Sequence, residues 1–198
     1  MADDHSPKLI IALAGAIFTL IGFYPYFRDI LRKQTKPHLY TWLLWVFTQG
    51  TATAGLWQGG GGFANLNAIA TFILVVLVFL LTLSHGTRNI TPGDTVVLVA
   101  ALLAIAVWWQ LHNPTLAVLM VAAIDGLGYI PTFRKTYQEP WTETLSFWVL
   151  TTIGCVLTLF ACREYNLLTL SYYATLAVAN TVVCLICMVR RKAKPSSQ

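Results

Sequence analysis

Apolar stretches of membrane-crossing length recur along this chain from Leu9 to Val189, separated only by short polar or Gly/Pro-rich breaks. A helix that crosses a bilayer needs about 20 mostly apolar residues. The 198 residues divide into seven such pieces, at 8–26, 39–57, 63–84, 95–111, 114–131, 144–162 and 169–189. Charged residues make up 11% of the chain, against roughly 25% in an ordinary soluble domain. With a mean hydropathy of +0.65, a water-soluble globule is excluded and an all-α membrane protein with several spans is expected.

The breaks have mechanical causes. The polar run Arg28 to His38 contains Pro37, Gly59 to Gly62 is a four-glycine turn, and Thr91, Pro92, Gly93 and Asp94 combine Pro and Gly with an acid that reads as an N-cap. Pro114 follows His112 and Asn113 at the shortest break. No clean cleavage site follows the first stretch, which reads as a retained helix.

Charge sets the orientation. Eleven of the thirteen basic residues fall on one side of a seven-span arrangement: Arg28, Arg32, Lys33, Lys36, Arg88, Arg134, Lys135, Arg190, Arg191, Lys192 and Lys194, leaving Lys8 and Arg163 on the other. By the positive-inside rule the N-terminus is outside and the C-terminus cytoplasmic, with residues 190–198 a basic cytoplasmic tail beside the lipid. The net charge of +5 is spread over connectors, not gathered beside aromatic residues, so nucleic acid is not an expected partner. Cys155, Cys162, Cys184 and Cys187 lack a His or acid at metal-ligand spacing. They read as small buried residues, with no metal or cofactor expected.

The chain also repeats itself. An offset of 106 residues superposes Gly22, Pro25, Phe27, Arg28 and Trp42 on Gly128, Pro131, Phe133, Arg134 and Trp148 without a gap. The segments GFYPYFRDILRKQTKPHLYTW and GYIPTFRKTYQEPWTETLSFW each end one apolar span and open the next. Residues 8–84 and 114–189 then form two three-helix repeats, and 95–111 is a linker helix that makes the repeats parallel. In this 3+1+3 plan and in these two segments the chain resembles the PQ-loop superfamily, which includes SWEET-like sugar transporters, cystinosin-like exporters and the KDEL receptor. Both family prolines are kept as Pro25 and Pro131, while Tyr26 and Thr132 stand where the family has glutamine.

Proline removes a backbone donor and clashes with the preceding turn. Pro25 and Pro131, with Gly22 and Gly128 three residues earlier, therefore read either as hinges for rocking of one repeat against the other or as plain helix terminators. Asp125 is the one acid placed in mid-span, where ionisable groups are costly and functional by default. It is a candidate for proton coupling or for balancing charge, with a hydrogen-bonded structural acid as the alternative. Gln49, Asn67 and Asn180 carry donor and acceptor in one planar group, which suits polar solutes; each could equally be interhelical glue. The resemblance implies that Asn67 and Asn180 with Trp42 and Trp148 line a solute site. For the two tryptophans, stacking on a solute competes with an inner aromatic belt.

No GxSxG, HExxH or Walker A pattern is present, and no enzymatic activity is expected. The expected function is transport of a small polar solute, such as a sugar, by alternating access, in a bacterial inner membrane and without need of an oligomer. Proton-coupled transport of an amino acid or metabolite through Asp125 is a second reading. A non-transporting receptor like the KDEL receptor is a third.

Overall fold

Helix formation follows the apolar stretches closely, and the largest deviations fall at the prolines. The computed structural model describes residues 6–58, 63–87, 89–108, 110, 114–161 and 167–193, with only the backbone described for 6, 52, 54–58, 63–68, 108, 114–118, 167–170 and 172. Among them are seven α-helices and no strand: α1 (Ser6–Leu31), α2 (Leu39–Gln58), α3 (Phe63–His85), α4 (Pro92–Trp108), α5 (Pro114–Gln138), α6 (Leu145–Ala161) and α7 (Leu167–Ala193). A 3-10 turn, Pro140–Thr142, joins α5 to α6. Pro7–Leu31 and Tyr173–Ala193 are long and apolar enough to cross a membrane, while Ile69–His85, Pro92–Val107 and Leu145–Ala161 are shorter apolar helices.

Pro25 and Pro131 lie inside α1 and α5, which run on to Leu31 and Gln138. The terminator reading is therefore corrected. Each proline costs one bond to the carbonyl four residues earlier, but the flanking turns keep the helix going. α1 stops instead at Lys33, which takes φ 59°. There the Lys33 amide donates to the Ile30 carbonyl at 2.9 Å and the Gln34 amide to the Asp29 carbonyl at 2.9 Å, the bond pair of a Schellman cap.

The start of α4 needs a second correction. Asp94 is not its N-cap but its third helical residue: the Thr91 amide donates to Asp94 Oδ2 at 2.7 Å, and the Asp94 amide donates to Thr91 Oγ1 at 3.2 Å. This reciprocal pair is a capping box around Pro92. At the other end of the chain, Arg190, Arg191 and Lys192 are helical residues of α7. Arg191 donates to the carbonyls of Pro140 (3.1 Å) and Glu143 (2.5 Å), and Arg190 to that of Tyr137 (3.0 Å). The basic cluster thus fastens the turn between α5 and α6.

α1 packs along α6 much more extensively than on α3, α7 joins α5 to α6, α2 pairs with α3 and meets α5, and α4 rests on α5 and α2. The α1–α6 crossing is close because both helices present glycine. A Cβ on Gly15 would lie 2.9 Å from Thr158 Oγ1 and 3.0 Å from the Gly154 carbonyl oxygen.

The exterior of the fold is apolar and its interior is mixed, unlike a soluble bundle. Leu9, Leu13 and Ile17 on α1, Ile73 and Leu77 on α3, Val96 and Leu103 on α4, Ile153 and Phe160 on α6, and Val178 and Leu185 on α7 all face outward, whereas Thr41, Asp125, Thr132, Lys135, Glu143 and Asn180 are buried. An apolar exterior of this extent suits hydrocarbon and not water.

Candidate functional site

A cavity of about 120 Å³ lies among α1, α2, α3, α5, α6 and α7. Sixteen residues line it, and ten of them form five pairs separated by 106 positions: Thr19 with Asp125, Phe23 with Tyr129, Trp42 with Trp148, Trp45 with Thr151 and Gln49 with Cys155. Equivalent sequence positions thus face one another across one space. The glycines repeat the pattern. A Cβ on Gly22 would meet Leu150 Cβ at 3.3 Å and Thr151 Cγ2 at 3.5 Å, and one on Gly128 would meet Leu44 Cδ2 at 2.9 Å and Trp45 Nε1 at 3.2 Å. Leu150 and Thr151 are themselves 106 positions beyond Leu44 and Trp45. So α1 meets α6 as α5 meets α2.

Of the residues expected at a site, Trp42, Gln49, Asp125, Trp148 and Asn180 converge on this cavity. Asn67 lies among the residues whose side chains are not described. Trp42 and Trp148 are each 1% exposed, so neither belongs to an outward-facing aromatic belt. Asn180 combines its two possible roles: it accepts from the Tyr129 hydroxyl at 2.6 Å and its amide is 3.9 Å from Cys155 Sγ, joining α7 to α5 and α6 from the cavity wall. Pro25 and Pro131 do not line the cavity, and Gly22 and Gly128 mark the two close crossings beside it.

Sequence reasoning missed most of the aromatic lining. Trp42 and Trp45 stand 5.0 Å apart at 79°, Trp45 and Tyr129 4.8 Å apart at 60°, and Phe147 and Trp148 4.9 Å apart at 72°. These are edge-to-face contacts, the geometry favoured by ring quadrupoles. One turn below Phe23, Tyr26 is fully buried against Phe147 at 4.3 Å and Trp42 at 5.3 Å. The rings close the cavity toward the connectors that hold Thr35, His38 and Thr144.

Beneath that floor lies a buried ion pair. Lys135 and Glu143 have side chains 1% exposed, with Nζ 2.8 Å from Glu143 Oε1. Lys135 also donates to the Thr142 carbonyl at 2.5 Å, and the Trp148 indole N–H donates to Glu143 Oε2 at 3.0 Å. Burial pushes the Lys135 ammonium below its usual pKa, while the Glu143 carboxylate pulls in the opposite direction. The pair fixes the Trp148 ring as a wall of the cavity. Its residues sit eight positions apart across Pro140, and the turn after α5 brings them together.

Contacts across the two halves complete this layer. Thr35 Oγ1 lies 2.5 Å from Thr144 Oγ1, Thr144 donates to Asp29 Oδ2 at 3.0 Å, and Thr41 donates to the Gly128 carbonyl at 2.8 Å. Nearby, Arg134 binds Asp94 at 2.6 Å. His38 is fully buried, 3.6 Å from Asp94. Burial lowers its pKa to about 4 despite that acid, so it is neutral at pH 7. No family model, no curated protein and no solved structure matches the chain.

Proposed function

We propose that the chain is an integral membrane transporter that moves a small polar solute by alternating access between two parallel three-helix repeats, α1–α3 and α5–α7, with α4 as the linker. The observation that carries this reading is a cavity lined by five pairs of residues 106 positions apart. A site at the interface of two repeats is where rocking of one against the other exposes it first to one side and then to the other. The exchange of contacts at Gly22 and Gly128, the prolines within α1 and α5, and the apolar exterior all support it. On this reading seven spans cross a bacterial inner membrane with the N-terminus outside, and the aromatic floor closes the cytoplasmic end of the path.

Asp125, 3% exposed on the cavity wall, favours a second reading in which a proton accompanies the solute. The test is uptake into proteoliposomes of pooled labelled sugars, amino acids and amines, with and without a pH gradient. The expected result is saturable uptake of members of one pool, lost when Trp42 and Trp148 are both replaced by alanine. Uptake no greater than in protein-free liposomes for every pool overturns the transporter reading. Gradient dependence that vanishes in Asp125→Asn favours the coupled form.

A further inference from the structure

We propose that the solute bound in this cavity is a small organic cation, with its positive charge held by the Asp125 carboxylate and the surrounding aromatic rings. This rests on the transporter reading and narrows it to one class of substrate. Three features of the cavity lead there.

The first is its charge. Asp125 is the acid among the sixteen lining residues, and none of them is Lys, Arg or His. With Asp125 ionised, the described lining offers an entering solute negative charge and no positive charge. The second is the set of rings. Trp42, Trp45, Tyr129, Phe147 and Trp148 are steeply inclined neighbours, and Trp45 is also 6.3 Å from Trp148 at 65°. Rings in crossed planes form walls instead of a stack, and the negative face of an aromatic quadrupole attracts a desolvated cation.

The third feature is what the polar lining is already doing. Thr19 donates to the Gly15 carbonyl at 3.0 Å, Thr48 to that of Trp45 at 3.4 Å, and Thr151 to that of Phe147 at 2.9 Å. The Asn180 carbonyl oxygen is taken by Tyr129, and the Trp148 N–H by Glu143. A polyhydroxylated neutral solute needs many uncommitted donors and acceptors. Most of the hydroxyl donors on this wall are spent on their own helices, which leaves the Gln49 amide as its main neutral polar group, beside a carboxylate and several aromatic rings.

The test uses a pair of isosteres that differ only in charge. Purified full-length protein in detergent is titrated at pH 7 with choline, with its uncharged analogue 3,3-dimethylbutan-1-ol and with glucose, following thermal stability and tryptophan fluorescence. Choline is expected to raise the unfolding temperature and perturb the fluorescence with an affinity at least about tenfold above that of the neutral analogue, and Asp125→Asn is expected to abolish that preference. Equal binding of the two isosteres overturns the proposal. Binding of glucose without choline also overturns it, yet leaves a transporter of neutral solutes standing. With no response to choline, pooled uptake in proteoliposomes separates the two failures: flux of another pool rejects only the cation, and no flux rejects the transporter as well. If Asp125→Asn does not fold, the isostere comparison on the unaltered chain decides by itself.

Discussion

Trp42 and Trp148 occupy equivalent positions in the two halves and face the same cavity, but they are held by different physics. Trp148 is fixed by a carboxylate that is in turn fixed by a buried ammonium. In the first half the positions matching Glu143 and Lys135 are Pro37 and Asp29. There the turn is tied by backbone instead: His38 bridges to Thr87, and the Thr87 amide donates to the Pro37 carbonyl at 3.0 Å. Asp29 faces Arg28 and Thr144. One scaffold has been used twice, with a charged clamp under one tryptophan and a neutral strap beside the other. The packing follows the same division, since α5 lies closely along α7 while α1 touches α3 only slightly. α1 is held by α6 of the second half more than by its own repeat.

The sharpest way to break this comparison is to remove the clamp. Glu143→Ala leaves a buried ammonium without its partner and an indole N–H without its acceptor, and should cost about 3–5 kcal/mol. Pro37→Ala keeps the carbonyl that Thr87 uses and should cost about 1 kcal/mol or less. Reversible unfolding in mixed micelles measures both. Equal losses would mean that the buried pair contributes nothing particular to the second half.

The paired glycines give a smaller contrast. At Gly128 an added methyl crowds buried Leu44 and the Trp45 indole, whereas at Gly22 the nearest contact is 3.3 Å. Gly128→Ala should destabilise by about 1–3 kcal/mol. For Gly22→Ala the gain in helix propensity of about 1 kcal/mol offsets most of the crowding, leaving stability nearly unchanged in the same unfolding measurement.

His38 makes the neutral strap sensitive to acid. Its folded pKa of about 4 lies below the ordinary 6.5, so between those values the unfolded chain binds the proton and the folded one does not. Stability is complete above pH 6.5 and falls as the pH drops toward 4. The melting temperature of His38→Gln should decline less steeply than that of the unaltered chain across this interval. The smallest effect is expected at the α1 cap. Lys33 sits in the left-handed region, and Lys33→Gly should add up to about 1 kcal/mol, since the steric relief exceeds the added freedom of the unfolded chain.

Much of this arrangement was legible in one dimension, and what was not has identifiable causes. The helices follow the apolar stretches, because a run of this length that is apolar on nearly every side has few ways other than a helix to satisfy its backbone in hydrocarbon. The lengths of α1 and α5 were misjudged, because a proline near a helix end does not say whether the flanking bonds suffice to carry the helix past it. Asp125 and the paired tryptophans stood out, the first by its cost in an apolar span and the others by the repeat. Trp45, Tyr129 and Phe147 did not, because an aromatic residue in an apolar helix looks the same whether it faces lipid or a cavity. The Lys135–Glu143 pair was hidden for another reason. Both residues lie in or beside a polar connector, where charge is expected to be solvated, and only the 3-10 turn at Pro140 folds them inward.

Access to the cavity tests the account most directly. Cys155 lines it, and with Cys162, Cys184 and Cys187 replaced by alanine it is the only thiol left in the chain. Its reaction with a charged, membrane-impermeant methanethiosulfonate can be followed in sealed vesicles of each orientation. Alternating access through the space between the two halves predicts labelling of Cys155 from both sides of the membrane, at unequal rates. Labelling from one side only, or from neither, would contradict it.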